Sequence, residues 1–436
     1  MMPTIIVLVG ISGDLAGRKL LPALARLEAA GQLPEHFCLV GTTRQALQPD
    51  DILSHLDPAL TEADRTFLQD HIDVLRIDMS TAEAYSQLAE HLRSIETRFG
   101  QPAQRLFYLS VPPEVSSPII AHLGDSGLNQ VANTRLLIEK PFGTDLATAE
   151  ALVQHVDRYF AIDQVYRVDH YVAKHMAQNI VPLRQSRLLA AGWNRENIER
   201  IDIIASESIG IEGRANFYEQ TGALRDLVQS HLLQLAALVL MEIPDQPNDV
   251  AGQRLAALQS LRVPDVQAVQ RGQYQGYRQE VSSPQSKVET FVSLPLESTD
   301  ARWQGVPIVL STGKSLRDKL TEIRVHYRST GSTKPPEQLV LSFQPQESIG
   351  ASVSVLRPDI TGQSDSAQLV FAYGKPAPDA YEYVFARAME GDHSLFPGAH
   401  EVLASWRIVA PVQAYWQAAD DPQQYAIGTS INDLIS

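Results

Sequence analysis

The first third of the chain alternates short runs of apolar, β-favouring residues with longer segments in which apolar residues recur at helical spacing. The short runs predict five strands, at residues 4–9, 37–40, 73–77, 105–109 and 135–138. The longer segments predict helices at residues 19–30, 82–97 and 144–159. Because regular strand–helix alternation is typical of a doubly wound parallel sheet, we predict an α/β nucleotide-binding domain over residues 1–171.

The pattern changes after about residue 171. Helical spacing predicts helices at residues 174–189, 222–242, 378–389 and 400–417. Strand-like runs follow one another without intervening helices at residues 288–294, 307–310, 321–327 and 338–343. Consecutive strands of this kind favour an antiparallel or mixed sheet. We therefore predict a second domain of the α+β class over residues 172–436.

Composition and charge mainly exclude classes of protein and of binding partner. Hydrophobic residues make up 44% and charged residues 20% of the chain, which is ordinary globular usage. Lysine and arginine total 36 against 51 acidic residues, so the net charge of −15 disfavours nucleic acid and anionic membranes as partners. The single cysteine, Cys38, fits a reducing compartment, and the N-terminus lacks the features of a signal peptide. We expect a cytoplasmic protein with no membrane segment.

A glycine pair follows the first predicted strand directly. In the run VGISGDLAG, Gly10 and Gly13 are followed by Ala16 at the spacing GxxGxxA, and a predicted helix begins there. Glycine permits a tight strand-to-helix turn and lets backbone N–H groups approach a pyrophosphate at the helix N-terminus. A plain strand-to-helix turn is the alternative. We predict a Rossmann-like cofactor site that includes Ser12, Asp14 and Leu15 of the same turn.

The residues after the other strands indicate which dinucleotide binds. The second strand ends in VGTTR, where an NAD-binding domain would carry an acidic residue for the ribose hydroxyls. Arg44 instead offers positive charge for the 2′-phosphate of NADP, with a solvated loop arginine as the alternative and NAD as a weaker cofactor. Further cofactor-binding candidates follow the third and fourth strands: Asp78, Met79, Ser110 and Val111.

Two segments combine charged side chains with restricted backbone. EKPFG places Lys140 before a proline at the end of the fifth strand. RVDHYVAK supplies an acceptor, several donors and positive charge in Asp169, His170, Tyr171 and Lys174. Such a set suits an anion and neighbouring hydroxyl groups, although ordinary surface charge explains any single residue equally well.

A candidate general base lies in the segment GALRDLVQSHLLQ. Apolar residues at helical spacing define a buried stripe, and His231 lies at its border. A core histidine is the alternative, but Asp169 could orient the imidazole and support its protonated form, which leaves His231 as a base at neutral pH. Asp226 lies five positions earlier, roughly 140° round an ideal α-helix. Lys314 and Lys319 add cations farther along the chain.

Several motifs, taken in order from about residue 5 to residue 416, resemble those of the glucose-6-phosphate dehydrogenase family. The motifs are GISGDLAGRKLLPAL, EKPFG, RVDHY with Lys174, SESIGIEGR, GALRDLVQSHLLQ, RWQGVPI with TGKSL, and DAYEYVF. Members of this family oxidise glucose 6-phosphate with NADP in the oxidative pentose phosphate pathway. The resemblance implies a Rossmann-like first domain and a second domain with a large, mostly antiparallel sheet that mediates assembly into a homodimer or homotetramer.

The resemblance also implies roles for the candidate residues. It makes His231 the base that removes the proton from the C1 hydroxyl and Asp169 its orienting partner. The residues implied to hold the 6-phosphate are His170, Tyr171 and Lys174, with help from Lys314 and Lys319. Those implied to bind sugar hydroxyls are Glu207, Asp226 and Lys140, of which Lys140 also borders the cofactor. No metal is implied.

The chain departs from the family pattern beside these residues. Ala173 and His175 stand where the family motif DHYLGKE has glycine and glutamate, and Ser230 replaces the asparagine next to the base. These departures leave two alternatives: a dehydrogenase of the same mechanism that acts on another sugar or sugar phosphate, and a non-catalytic, NADP-binding regulatory protein.

Overall fold

The computed structural model describes residues 1–54, 56, 60–244, 249–329, 336–374 and 376–435, which belong to two units. The first unit consists of Met1–Gly143, Ala147–Ala173 and Pro378–Ala399. The second consists of Thr144–Leu146, Lys174–Ala377 and His400–Ser436. A single boundary after residue 171 does not capture this division, because residues 378–399 return to the first unit late in the chain.

A parallel sheet forms the centre of the first unit. Its strands are β1 (Thr4–Val9), β2 (Phe37–Thr43), β3 (Ile72–Arg76), β4 (Gln104–Leu109), β5 (Thr134–Ile138) and β6 (Val165–Arg167). All neighbours are parallel, in the order β3-β2-β1-β4-β5-β6. The five predicted strands are confirmed, whereas β6 is too short to produce a pattern of its own.

Helices account for most of the remaining regular structure. They are α1 (Leu21–Ala29), α2 (Pro49–Leu53), α3 (Glu62–His71), α4 (Ala82–Phe99), α5 (Pro113–Asp125), α6 (Leu146–Asp157), α7 (His175–Gln185), α8 (Ala215–Ala223), α9 (Leu233–Leu240), α10 (Val250–Ser260), α11 (Tyr277–Glu280), α12 (Ala380–Glu390), α13 (Ala399–Ala418) and α14 (Ile431–Ile435). Two π-helical segments precede α1 and α9, at Ala16–Leu20 and Leu224–Leu232. None of the described helices is long and apolar enough to cross a membrane.

Both faces of the first sheet are buried, as a doubly wound fold requires. Alternate residues of β1 enter different cores: Ile6 and Leu8 pack on one face, and Ile5 and Val7 pack on the other. The returning helix α12 contributes to the core that contains Ile6 and Leu8. The helix α12, which comes late in the chain, therefore helps to cover one face of the first sheet.

A mixed sheet forms the second unit. Its strands are β7 (Ile198–Ser206), β8 (Leu261–Arg262), β9 (Gln270–Tyr274), β10 (Phe291–Ser298), β11 (Ile308–Gly313), β12 (Leu320–Tyr327), β13 (Gln338–Gln344), β14 (Ser348–Leu356), β15 (Ser364–Ala372) and β16 (Gln423–Tyr425). The order is β15-β14-β13-β12-β7-β11-β10-β9-β16, with β8 paired to β10. The pairs β7–β11 and β9–β16 are parallel and the others are antiparallel, so the predicted fold class is confirmed.

The central strand β7 was not predicted, because charged residues interrupt its apolar pattern. The structure pairs these charges within the sheet: Arg200 Nε lies 2.7 Å from one Asp202 carboxylate oxygen, and His326 Nε2 lies 2.9 Å from the other. A cross-strand partner on β12 thus stabilises a charge within the sheet.

Candidate active site

The glycine turn after β1 lies against the turn after β4. Gly10 has a φ of +89°, and a Cβ on it would lie 2.7 Å from the Ser110 carbonyl oxygen and 3.0 Å from the Val111 side chain. Gly13 is less tight, because its Cβ would lie 3.1 Å from the Gly10 carbonyl oxygen. Glycine is thus needed for both conformation and close approach. The structure therefore brings together four of the predicted cofactor residues.

A cavity of about 270 Å³ opens beside this turn. Ser12 and Gly13 line one side, and Gln45, Leu47 and Asp51 from the segment after β2 are among the residues that line the other. Asp14 is exposed and pairs with Arg18 at 3.4 Å, and Leu15 packs on the core. The close backbone approach at Gly10 and the adjoining cavity therefore fit a dinucleotide at this turn.

Arg44 lies exposed just beyond β2, a position that fits both the predicted contact with a 2′-phosphate and the alternative of a solvated loop arginine. The parallel register sets Arg76, the last residue of β3, beside Thr43, and the Arg76 Nε donates to the Arg44 carbonyl oxygen at 3.4 Å. Two exposed guanidinium groups therefore leave the sheet from adjacent residues. Sequence reasoning missed Arg76; its position at a strand end is the signal that could have found it.

Asp78 and Met79 differ in environment although they are adjacent. Hydrogen bonds from the Ser80 backbone and hydroxyl lower the pKa of the exposed Asp78 carboxyl, and the Arg44 charge lowers it further. Met79 is buried, and its carbonyl accepts a bond from the Tyr85 hydroxyl at 2.8 Å. Asp78 thus belongs to the same polar edge as Arg44, whereas the Met79 side chain belongs to the core.

Lys140 and Asp169 come from neighbouring strand ends. The Ile138 carbonyl at the end of β5 accepts a bond from the Val168 amide after β6 at 2.9 Å, and the Lys140–Pro141 peptide bond is cis. Asp169 is buried and accepts bonds from the amides of Tyr171 at 2.8 Å and Val172 at 3.4 Å. Desolvation raises the pKa of Asp169, opposed by the nearby His170 and Lys140 charges.

A hydrogen-bonded group that the sequence did not reveal lies beside these residues. The Tyr108 hydroxyl donates to Glu139 Oε1 at 2.5 Å, and the Tyr381 hydroxyl bonds the same carboxylate. Desolvation raises the pKa of Glu139 to about 7, although both phenols and the Lys140 charge act in the opposite direction. The Tyr381 ring also stacks on His170 at a centroid distance of 6.3 Å. The motif DAYEYVF therefore belongs with EKPFG and RVDHY in one unit.

His231 lies in the π-helical segment Leu224–Leu232, which we call the His231 helix. The segment packs against β7, β10 and β11, and His231 is 1% exposed. In π geometry the backbone bond spans five residues, so Asp226 lies about one turn before His231 on the same side of the helix. The separation of roughly 140° predicted for an α-helix is therefore wrong, and the two side chains can serve one cleft.

A buried glutamate from a remote segment caps the start of the His231 helix. Gly222 has a φ of +64°, and a Cβ there would lie 2.5 Å from a Glu289 carboxylate oxygen. The Leu224 amide donates to Glu289 Oε1 at 2.9 Å. Burial raises the pKa of Glu289, with this backbone bond opposing the rise. Continuous helical structure starts just after Gly222 and runs to Leu240, close to the helix predicted over residues 222–242, and a residue from a remote segment caps its start.

Glu207 and Lys314 follow the ends of the parallel neighbours β7 and β11. Ser206 pairs with Gly313 in register, and the Lys314 ammonium and the Glu207 carboxylate form an ion pair. Lys314 Nζ also lies 5.2 Å from the centre of the buried Tyr218 ring. After desolvation, the charges of Asp226, Glu289 and Glu207 are among the causes that raise the pKa of Tyr218. Sequence reasoning missed Tyr218.

The remaining predicted residues complete the second unit. Lys319 is exposed just before Leu320, which pairs with Ser206. Lys174 precedes α7 directly, and Ser230 donates its hydroxyl to the Asp226 carbonyl at 2.8 Å. The predicted site residues thus form one group at the strand ends of the first unit and another around the His231 helix of the second. The pairing of Asp169 with His231 joins residues of different units and stays a prediction.

The first unit is a doubly wound domain with a tight glycine turn after β1, and the second unit contains a buried histidine among acidic and basic side chains. Together these features define a nicotinamide-dinucleotide-linked dehydrogenase. Residues 7–179 match the sequence profile described as "Glucose-6-phosphate dehydrogenase, NAD binding domain", and residues 183–433 match "Glucose-6-phosphate dehydrogenase, C-terminal domain". The chain belongs to the glucose-6-phosphate dehydrogenase family, and the resemblance inferred from the motifs is confirmed.

Individual relatives agree over nearly the whole chain. The glucose-6-phosphate 1-dehydrogenase of Chlamydia muridarum is 35% identical over 462 residues, which cover 95% of this chain and 90% of the relative. That of Mycolicibacterium smegmatis is 33% identical over 469 residues, covering 98% and 94%. A solved structure of a glucose-6-phosphate dehydrogenase in complex with glucose 6-phosphate superposes with a TM-score of 0.93 at 29% identity, covering 98% of this chain and 95% of that one.

Proposed function

We propose that the protein oxidises the C1 hydroxyl of glucose 6-phosphate to 6-phosphoglucono-1,5-lactone with hydride transfer to NADP. The observation that supports this most directly is the arrangement around the His231 helix, where a buried imidazole and Asp226 share one side of a π-helical segment. An imidazole suits removal of a hydroxyl proton at physiological pH. Membership of the family supplies the substrate class.

His231 acts as the general base in this proposal. Its ring nitrogen accepts the proton of the C1 hydroxyl while the C1–H bond breaks and its electron pair leaves with the hydrogen as hydride, so that the C1–O bond becomes the carbonyl of the lactone. Nicotinamide supplies the hydride acceptor when it is bound. Asp169 orients the imidazole and stabilises its protonated form, and its own backbone bonds hold the carboxylate in one orientation.

The first unit holds the dinucleotide. The turns at Gly10, Gly13 and Ser110 bind the pyrophosphate through backbone groups, because side chains are excluded there. Arg44 carries the selectivity for NADP over NAD, assisted by Arg76 from the next strand. Asp78 keeps this edge polar. NAD serves as a weaker cofactor, since its ribose lacks the phosphate that the two guanidinium groups recognise.

The remaining residues hold the sugar phosphate. Lys140, Glu207 and Asp226 bind sugar hydroxyls, and His170, Tyr171, Lys174 and Lys319 bind the phosphate. Lys314 acts mainly through its ion pair with Glu207, because its ammonium group is nearly inaccessible and already bonded to that carboxylate. This modifies the role that the resemblance implies for Lys314.

Absorbance at 340 nm tests the function directly. Purified protein is mixed with NADP or NAD and with glucose 6-phosphate, other hexose phosphates or free sugars. We expect turnover with glucose 6-phosphate and NADP and a lower kcat/KM with NAD. Turnover of another sugar without turnover of glucose 6-phosphate would favour the altered-substrate alternative. NADP binding without turnover of any sugar would favour the regulatory alternative.

The protein also forms a homo-oligomer in this proposal. The outer strands β14 and β15 expose apolar side chains at Val355, Leu369, Val370 and Phe371, with exposures of 43%, 60%, 65% and 57%. Exposed apolar side chains on these outer strands support self-association through the large sheet. Analytical ultracentrifugation should show a dimer or tetramer, and Phe371→Asp should shift the equilibrium towards monomer.

A cytoplasmic location is also part of this proposal. It fits the buried Cys38, because burial raises the pKa of its thiol to about 11.

A further inference from the structure

A carboxylate from the β13–β14 turn is bonded to the first turn of α7. Glu347 Oε2 lies 2.9 Å from His175 Nδ1, and Glu347 Oε1 accepts a bond from the Met176 amide at 3.3 Å. Glu347 is distant in sequence from both residues. One side chain therefore fixes both the backbone and the side chain at the start of this helix.

Lys174 is the residue immediately before these two bonded positions. It caps α7 in an extended conformation, with φ −60° and ψ 141°, and its carbonyl accepts the bond from the Gln178 amide at 3.2 Å that begins the helix. A displacement of His175 or Met176 would therefore rotate the Lys174 backbone. The direction of the Lys174 side chain depends on how firmly Glu347 holds the helix start.

Further contacts join the same place to the edge of the large sheet. The Tyr373 ring, just after β15, meets the His175 ring edge-on at a centroid distance of 4.7 Å. The Asn179 side chain donates to the His175 carbonyl at 2.8 Å. After desolvation, the Glu347 charge raises the pKa of Tyr373. His175 is thus held between α7 and the strands β14 and β15.

His175 is also a departure from the family pattern. The motif that resembles DHYLGKE has histidine at position 175 in this chain instead of glutamate. A glutamate there would face Glu347 with like charge, which is unfavourable at hydrogen-bond distance. Histidine converts that contact into an attractive one, whether as a neutral hydrogen-bond donor or as a cation.

We infer that His175 and Glu347 are positioning residues that set Lys174 for the phosphate group of the substrate and tie it to the outer strands of the large sheet. The inference rests on the proposed function, because it assigns the phosphate to Lys174. His175 and Glu347 thereby contribute to substrate specificity although neither residue contacts the sugar.

Steady-state kinetics with glucose 6-phosphate and with free glucose test the inference. Glu347→Gln and His175→Gln should each raise KM for glucose 6-phosphate by about three- to tenfold, while kcat and KM for NADP change less than about twofold. The kcat/KM for free glucose should stay unchanged, since it has no phosphate to position. The double variant should be no worse than the more affected single variant, because both break the same contact.

A charge exchange sharpens the result. His175→Glu alone should be the most harmful single change, because it sets two carboxylates together, and the added change Glu347→His should restore KM to within about twofold of the unaltered protein. His326→Gln is the matched control. It breaks a histidine–carboxylate pair of the same length, 2.9 Å to Asp202, in the same unit but away from α7, and should leave KM for glucose 6-phosphate unchanged.

Equal losses for glucose and glucose 6-phosphate, or failure of the charge exchange to restore KM, would overturn the inference and leave a structural role alone. Calorimetric binding of glucose 6-phosphate separates this from failure of the proposed function. If the unaltered protein binds the sugar phosphate without turnover, the function is wrong but the comparison still holds: a weaker Kd in Glu347→Gln supports the inference, and an unchanged Kd contradicts it. An unaltered protein that does not bind glucose 6-phosphate overturns both.

Discussion

The two sheets of the molecule differ in strand direction and in burial, but both carry candidate site residues at the ends of parallel strands. The first is parallel with both faces buried, and the second is mostly antiparallel, with alternately buried residues along β13 and an exposed outer strand β15. Yet Lys140 and Asp169 follow the parallel neighbours β5 and β6, and Glu207 and Lys314 follow the parallel neighbours β7 and β11. Parallel strands end side by side, so one such pair is enough to gather polar side chains at one edge.

The two units also share a local arrangement. In each, a glycine with positive φ is followed by a π-helical segment: Gly10 by Ala16–Leu20 and Gly222 by Leu224–Leu232. In the first unit the missing Cβ lets the turn approach the Ser110 carbonyl, and in the second it leaves room for the Glu289 carboxylate. The same residue type therefore serves close packing of two candidate cofactor turns in one unit and helix capping in the other. The following changes test this difference.

The largest expected effect comes from the base. His231→Gln should lower kcat by about 10²- to 10⁴-fold, the usual contribution of general acid–base catalysis, because glutamine cannot take the proton. Fluorescence titration should show unchanged NADP affinity, since the first unit is unaltered. A kcat within about threefold of the unaltered protein would contradict the assignment of His231 as base.

Glu139 should make the stability of the first unit depend on pH. Its pKa is raised from an ordinary value of 4.5 to about 7, so the folded state holds this proton more tightly than the unfolded state. The free energy of unfolding should therefore fall as pH rises from about 4.5 to about 7 and level off above that, by up to about 3 kcal/mol. Glu139→Gln should abolish this part of the pH dependence in urea unfolding.

Glu289→Gln is the counterpart in the second unit. Burial also raises the pKa of Glu289, so this substitution should change the pH dependence of unfolding in the same direction. It should in addition lower kcat, because the Glu289 carboxylate caps the His231 helix. Unfolding curves of either variant that run parallel to those of the unaltered protein at every pH would contradict the expectation.

The two glycines should separate cofactor binding from catalysis. Gly10→Ala should raise KM for NADP by at least about tenfold, because the added Cβ meets the Ser110 carbonyl, whereas Gly222→Ala should mainly lower kcat by displacing Glu289. Each should cost about 2 kcal/mol in stability. Gly31→Ala is the control: its φ is +65° but nothing lies within 4 Å of the added Cβ, so only backbone strain of about 1 kcal/mol remains. If all three variants showed similar kinetic changes, the proposed separation between a cofactor role of Gly10 and a catalytic role of Gly222 would be wrong.

The smallest effects should concern selectivity. Arg44→Gln should raise KM for NADP about tenfold and leave KM for NAD unchanged, and Arg76→Gln should do the same more weakly, by about threefold. In the second unit, Lys319→Gln should raise KM for glucose 6-phosphate and leave both cofactors unaffected. Arg93→Gln, an exposed residue of α4, is the control. Equal losses for NADP and NAD in Arg44→Gln would contradict recognition of the 2′-phosphate.

The parts of the fold that were predicted correctly depend on neighbouring residues. The strand β1 follows from its unbroken apolar run TIIVLV, and the turn after it follows from Gly10 and Gly13. The second domain was harder, because β7 carries Arg200 and Asp202, whose partners the sequence does not identify. The candidate residues in EKPFG and RVDHY were found because rigid and charged residues are adjacent there.

Other features of the site depend on segments that are remote in sequence. Tyr381 meets Glu139 because residues 378–399 return to the first unit, and Glu347 meets His175 because a sheet turn lies over the start of α7. Neither pairing leaves a periodic signal, since hydrophobic periodicity reports on one element at a time.

The sequence by itself determined the order of strands and helices in the first unit, the cofactor turn and the identity of the polar candidates, because local backbone preference and apolar spacing are properties of neighbouring residues. Tertiary structure alone decided the π geometry that brings Asp226 and His231 to one side, the capping of their helix by Glu289, and the burial that raises the pKa values of Glu139 and Glu289. Desolvation and close packing arise only when distant segments meet, and no local pattern encodes them.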